Sequence, residues 1–376
     1  MADCYKLTAV SDFTKYVEAL SDETGYEASR LQECKPVICQ AIYGIGNPDI
    51  SGIGVAIGYI IEIALGFTLA ILLLLQTRLD PSLRSIPSQV LLTGLRSFFN
   101  AAAFFSIAVQ IATISLLVQK DFGIATSDFG AIEAQIAQAV SVVSMLPLLY
   151  PALLLSGIDS SSSSASSSSP RSNPRLFLLN LAAALSFYPF LSRNLHAFGP
   201  GDSRPIGDGS GSDVSTADWA KVERLCFADG LDGLRHDALY AAIPPLELAA
   251  SLVVYLATLW QMCGLVGAHY SPAKDQQKRH AVVVGAGRVV LWRGRVGEWF
   301  RSHRLWAALL MLVPLGLAVP LLWVIFHLRG LQEELARNME EDYGGNNWGF
   351  GQIVAVVLYL PVAVDMLYRG RFGYQV

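Results

Sequence analysis

Gly52-Ile-Gly-Val-Ala-Ile-Gly-Tyr-Ile-Ile-Glu62-Ile-Ala-Leu-Gly-Phe-Thr-Leu-Ala-Ile-Leu-Leu-Leu-Leu-Gln76 decides the fold. Glu62 is the one Asp, Glu, Lys or Arg in this run. As a helix at 1.5 Å per residue it reaches roughly 37 Å, more than the ~30 Å of a bilayer's hydrocarbon core. Six further stretches have the same character, giving spans at about 52–76, 97–118, 131–155, 176–192, 242–266, 305–328 and 348–368. Prolines inside several of them, Pro147, Pro189, Pro244, Pro314, Pro320 and Pro361 among them, are compatible with membrane helices, because neighbouring helices re-satisfy the freed carbonyls.

Whole-chain composition agrees. Of 376 residues, 53% are hydrophobic and 15% charged, and mean hydropathy is +0.42. A soluble domain carries about 25% charged residues. A soluble enzyme, a nucleic-acid binder and a small disulfide scaffold are thereby excluded. The expected class is all-α, a polytopic bundle of seven transmembrane helices (52–368) with an amino-terminal tail (1–51) and a short carboxyl-terminal tail (369–376). The first fifty residues are mixed and polar, unlike a cleavable signal, so the first span is expected to act as its own insertion signal.

Seven spans place the termini on opposite sides. The amino-terminal side carries 12 Lys and Arg against 23 Asp and Glu, and the other side 15 against 4. The basic inner loop 267–304 decides the orientation, because eight of its residues are Lys or Arg, close to two spans, and such residues favour the cytoplasmic side. The amino terminus is therefore expected outside and the carboxyl terminus in the cytoplasm, in the plasma membrane or an endomembrane such as that of the ER or vacuole. Arg288, Arg293, Arg295 and Arg301 alternate with Trp292, Trp299 and Phe300 in that loop, a composition that lies against headgroups. Gly285-Ala-Gly287 there lacks the third glycine and the strand–helix setting of a dinucleotide fingerprint. The inner linker 159–175 is serine-rich and reads as a flexible spacer. The outer loop 193–241 is acidic and rich in Gly, Ser and Asp near 199–216, with a short amphipathic helix expected from Ala217 to Phe227.

In the tail, helices are expected from Ser11 and from Ser21, each serine preceding acidic residues in the manner of a helix cap. Four cysteines, Cys4, Cys34, Cys39 and Cys226, fall on the expected outer side, where disulfides form. They fit either a stapled cap or unpaired thiols, and three pairings are open. The cysteine and histidine spacings offer no metal site, and no cofactor is expected.

Polar residues within the spans are the candidate functional groups, since an acid at the bilayer centre costs roughly 2.5–3.5 kcal/mol by insertion scales. Glu62 shares a four-residue series with Gly54, Gly58, Gly66 and Ala70. Small residues at that spacing mark a helix–helix contact, so Glu62 is expected to face the bundle as a proton-accepting or ligand-binding carboxyl. A protonated carboxyl bonded to a neighbouring helix is the plainer alternative. Glu247 heads a stripe with Ser251, Thr258 and Gln261. Glu133 begins a face with Gln135, Gln138, Ser141 and Ser144, at a helix start that suits a carboxylate. Asp365 is expected to pair with Arg369, and Asn100 and Gln110 to bond between helices. Glu62, Glu247, Ser251, Gln138 and Gln352 form the candidate polar site inside the bundle. No lysine lies in any span, excluding a retinal Schiff base. The six histidines lie at boundaries or in loops, which argues against paired haem ligands, and no internal repeat of a transporter kind is present.

Cys39-Gln-Ala-Ile-Tyr-Gly-Ile-Gly-Asn-Pro-Asp-Ile-Ser-Gly-Ile-Gly54 and Asn347-Trp-Gly-Phe-Gly-Gln-Ile-Val-Ala355 resemble segments of a group of filamentous-fungal multi-pass, seven-span integral membrane proteins without an assigned activity. The resemblance implies a fungal origin and a membrane location, and it brings no catalytic residues. Both segments are expected at the outer surface, where Trp348 and Gln352 can meet the Asn47–Asp49 turn as a lid above Glu62 or as a packing clasp. The layout is also similar to seven-helix receptors, without the rhodopsin-like Asp-Arg-Tyr or Asn-Pro-x-x-Tyr. The leading expectation is a receptor- or sensor-like protein taking a small apolar or amphipathic ligand, with membrane lipids and an unspecified cytoplasmic protein as partners. A membrane enzyme of lipid or terpenoid metabolism using a bundle carboxyl as acid, and a carrier, are the alternatives; enzymatic activity is left open.

Overall fold

The computed structural model describes residues 2–10, 13–76, 88–119, 130–162, 174–198, 216–231, 238–269 and 304–372. Among them the chain is helical throughout, and no strand occurs. The helices are α1 (Cys4–Thr8), α2 (Phe13–Thr24), α3 (Ala28–Glu33), α4 (Lys35–Tyr43), α5 (Pro48–Ser51), α6 (Ile53–Gln76), α7 (Ser88–Gln119), α8 (Ala131–Met145) and α9 (Leu149–Ser162). They continue as α10 (Pro174–Phe198), α11 (Thr216–Cys226), α12 (Ala238–Ala241), α13 (Ile243–His269), α14 (Arg304–Asn338), α15 (Phe350–Val357) and α16 (Leu360–Phe372).

Seven of these segments are long and apolar enough to cross a membrane: α5–α6, α7, α8–α9, α10, α13, α14 and α15–α16. The chain is thus a seven-helix, multi-pass membrane protein by length and composition. The third span lies innermost, since every residue of Ala131–Met145 except Val142 is buried. Leu146-Pro147-Leu148 narrows to one 3-10 turn before α9, because proline cannot donate to the helical ladder. The first span packs on the second, sixth and seventh, and the fourth lies between the second and the fifth. Outward faces carry exposed Ile60, Phe104, Ile111, Leu181, Leu256, Leu259, Val319 and Leu360, an apolar belt that needs lipid to cover it.

Several boundaries differ from the sequence reading, mostly because hydropathy stops at the first charge whereas the helical ladder continues. The second span begins at Ser88, through Arg96. The fourth continues past 192 to Phe198, so the outer loop opens inside a helix. The fifth reaches His269, three residues into the expected inner loop. The sixth runs on to Asn338, replacing much of the loop expected at 329–347. The seventh is two helices joined before Pro361, and helix extends to Phe372 within the expected tail. The serine-rich linker is helical at 159–162 and from 174; residues 163–173 lie outside the described set, as do most of the basic loop 267–304, the Gly285–Gly287 turn and 199–215.

At one end of the bundle the tail forms a folded cap. A single helix, α2, crosses Ser21, where a second start was expected. Its Phe13, Tyr16, Val17, Leu20 and Thr24 are all buried, at the spacing that lines one helical face, so the local cap signal at Ser21 loses to the apolar face. Helix α11 contributes Trp219, Val222 and Cys226 to the same core, with Phe13 edge-on to Trp219 at 6.3 Å and Tyr43 to Phe227 at 5.0 Å. Cys4 pairs with Cys34, and Cys39 with Cys226, one of the three pairings open from sequence. The second disulfide ties the tail to the segment between spans four and five.

The cap also docks on the bundle. The Gly130 amide donates to the Ala41 carbonyl at 2.8 Å, and the Asn338 amide group donates to the Cys226 carbonyl at 3.0 Å. Gly44 turns the chain at φ +75°, with the Glu133 carboxylate 2.8 Å from where a Cβ would stand. The tail and the ends of spans three, four-to-five and six therefore meet at one end of the bundle, as a serpentine of seven crossings requires.

Candidate functional site

The inward polar residues fall into two clusters rather than one. The first joins the first, second and seventh spans around Glu62. Glu62 is fully buried, in keeping with its place among the small residues. Its face is close-packed: a Cβ on Gly58 would lie 3.3 Å from Ala355, and one on Gly54 2.6 Å from Gln352. Neither oxygen of the Glu62 carboxyl has a hydrogen-bond partner. The Tyr359 hydroxyl, also on the seventh span, lies close enough to couple to it electrostatically without meeting hydrogen-bond geometry. Tyr59, one turn before Glu62, sits 5.4 Å from the Phe105 ring, and Tyr359 lies 6.1 Å from both Phe98 and Phe105. Aromatic rings from three spans thus pack on one another beside the buried carboxyl.

Above this cluster is the contact between the two resembling segments. Asn47 caps Pro48–Ser51 by accepting from the Asp49 amide at 2.9 Å, with proline at the first helical position where no donor is needed. Gln352 accepts from the Gly54 amide at 2.9 Å and donates to the Asn347 carbonyl at 2.7 Å. Trp348 lies against Gly54 and the Asp49 carboxylate against Gly351. Geometrically this is a clasp: the glycines admit Gln352 and Trp348 into direct contact with the first span.

The second cluster joins the third, fourth and fifth spans. Arg193 and Glu247 form an ion pair, with side chains 6% and 3% exposed. The preceding residue, Ser192, accepts from the Gln138 amide at 3.0 Å. One turn beyond Glu247, Ser251 lines a cavity with Ser141, Val142, Met145, Ser186, Val254 and Tyr255 that has room for about one water. Ser186 and Tyr255 share a hydrogen bond at 3.1 Å across it. Ser141 donates to Gln110 at 2.6 Å, and the Gln110 amide returns to the Ser141 carbonyl at 2.8 Å. Gln135 and Tyr240 exchange bonds of 2.9 and 3.0 Å.

Of the five sequence-derived site residues, Glu247, Ser251 and Gln138 converge on the fourth span, whereas Glu62 and Gln352 belong to the first–seventh contact. The rest of the Glu247 stripe disperses: Thr258 bonds back to the Val254 carbonyl at 2.8 Å and Gln261 to the Ala152 carbonyl at 2.9 Å. Two expectations are corrected. Asn100 is exposed rather than bonded between helices, and Asp365 and Arg369 are both exposed without pairing, their helix turning that face away from the bundle.

Sequence reading missed Arg193, counted as a loop base one residue past the expected end of the fourth span. Its signal was indirect: a buried Glu247 calls for a cation, and the nearest bases stand at span ends. Tyr359 carried no signal, since tyrosine is ordinary in an apolar helix. Among the described residues no group of His, Cys, Asp and Glu is arranged to hold a metal ion. No family model, curated protein or solved structure matches the chain.

Proposed function

We propose that this chain is a sensor- or receptor-like seven-helix membrane protein, with its stapled cap outside the cytoplasm and its carboxyl terminus within it. The observation that carries the reading is the Arg193–Glu247 pair, buried between the fourth and fifth spans on the cap side of the bundle. An ion pair in such a place adds little net stability over apolar residues, and its best-attested use is to hold one registry against another. Here it holds two spans whose connecting segment is tied to the cap through Cys226. A ligand that displaces the cap shifts that registry, and the inner ends of the spans move with it.

The neighbouring cavity, sized for about one water, is far below the ~300 Å³ of a ligand pocket. At this cluster the described spans are therefore packed closed, with no preformed pocket for a lipid or terpenoid substrate or for another ligand. The disulfides support an oxidising environment for the cap, in the plasma membrane or an endomembrane. A small apolar or amphipathic ligand fits the lipid-bounded outer end, and a cytoplasmic partner fits the basic 267–304 segment.

Cys263 supplies the test. It is the free cysteine, exposed, on the same helix as Glu247 and 16 residues further on, roughly 24 Å along the axis. In full-length protein in nanodiscs, E247Q is expected to change the maleimide labelling rate of Cys263 by about fivefold, equivalent to about 1 kcal/mol in a two-state equilibrium. Unchanged labelling at normal abundance removes the switch. Proton flux in proteoliposomes that E62Q abolishes would instead make the protein a carrier.

A further inference from the structure

Arg329 stands where the apolar run of the sixth span ends at Leu328. It is only 6% exposed, as deeply placed as Arg193, but it pairs with no carboxylate among the described residues. Its Nε has no partner. A terminal nitrogen reaches the Gly345 carbonyl and the Asn346 side-chain oxygen, each at the 3.5 Å limit of a hydrogen bond, and the Phe326 ring lies 5.9 Å away. One turn on, Gln332 is fully buried. The Ser51 and Tyr343 hydroxyls approach its oxygen at 3.5 and 3.4 Å, and its nitrogen has no partner. Two buried donor groups without acceptors thus share one face of α14, and buried charges are normally paired.

We infer that Arg329 and Gln332, under the Gly344–Asn347 strap, bind a phosphate group at the cap-side boundary of the sixth span. A guanidinium fork matches phosphate oxygens in pairs, at 2.7–2.9 Å and with about twice the strength of neutral contacts, so a phosphate displaces the two long contacts to the strap. The strap is thin: Gly344, Asn346 and Asn347 are exposed and Gly345 alone is buried. The position is also that of lipid headgroups. Half-exposed Trp323 stacks on His327 at 5.1 Å, and exposed Trp348 and Phe350 flank the strap, aromatic residues of the kind that settle at the interface. A lipid headgroup and a free phosphate share this chemistry.

Delipidated full-length protein in detergent, titrated with inorganic phosphate against chloride at equal ionic strength, tests one source. Native mass spectrometry of retained lipid after exposure to phosphatidylglycerol micelles tests the other. A saturable rise in thermal midpoint with phosphate, or stoichiometric retention of the lipid, is expected in wild type; lipid retention alone assigns the headgroup as the source. R329Q is expected to lose at least about tenfold in affinity, and R329K, which keeps the charge without the fork, an intermediate amount. If R329Q does not accumulate, R329K carries the comparison. No saturable binding in either arm of wild type, an equal effect of chloride, or undiminished binding by the variant that folds overturns the site.

Discussion

Breaking the Arg193–Glu247 pair should cost more than any other single polar change in the bundle, and removing both charges should return most of it. With side chains 6% and 3% exposed, solvent screens the pair little, and removal of one partner strands a buried charge at a cost of about 3–5 kcal/mol. The two single variants should differ. E247L strands Arg193, which lies five residues from the helix end at Phe198; its long stem can carry the charge toward the interface, placing the loss near the lower figure. R193M strands the shorter Glu247, which has no such reach, and belongs near the upper one. The double variant R193M/E247L fills the space with apolar atoms and should fall within about 1 kcal/mol of wild type. Unfolding by SDS in mixed micelles, followed by helical circular dichroism, measures all four corners of the cycle. Single losses near 0.6 kcal/mol, the average for an interhelical hydrogen bond in membranes, or a double loss equal to the sum of the singles, would refute the idea that this pair fixes registry.

At the clasp, G58A should be the milder change, because its Cβ meets the Ala355 methyl and carbonyl at 3.3 Å, whereas G54A, with Gln352 2.6 Å away, should cost about 1–3 kcal/mol by overpacking; the same SDS titration reads both. Denatured under non-reducing conditions, the chain should take one PEG-maleimide, on Cys263, and after reduction five, one for each cysteine; mass shifts on a gel count them. In the cap, a 2.5 Å bond joins Lys6 to Glu23. That bond, with the Asp3 amide and the charge of Lys6, holds the Glu23 carboxyl below its ordinary 4.5, and the same bond with the charge of Glu23 holds the Lys6 ammonium above 10.5. A lowered acid and a raised base make the contribution full between those two ordinary values. It is lost as pH falls through the Glu23 value or rises through that of Lys6. Cys4–Thr8 should therefore lose hydrogen-exchange protection as pH falls below the ordinary glutamate value of 4.5, and lose less in E23Q.

The spans and the inward turn of Glu62 were legible because both rest on periodicity: a long apolar run, and small residues every fourth position. The cysteines left a stapled cap and unpaired thiols both open, although all four fell on the same expected side; the two disulfides decide for the cap. Their pairing was not legible, because it depends on α2, α4 and α11 folding around a shared core whose members are scattered from Leu7 to Leu231. Arg193 and Arg329 were hidden by one mechanism. Each stands just past an apolar run, where a hydropathy reading ends the span but the backbone ladder continues and carries the charge into the protein. The division of the polar residues into two clusters depends on which helices are neighbours, and single-helix faces do not encode that.

Glycosylation acceptors placed in turn at the amino terminus and within 267–304, in the full-length chain expressed in intact cells, measure the threading itself. Modification of the first acceptor alone is the outcome that a seven-crossing chain with its disulfide-bonded cap outside the cytoplasm demands. Modification of the second, or of both, would mean that the cap lies elsewhere or that the crossings do not number seven.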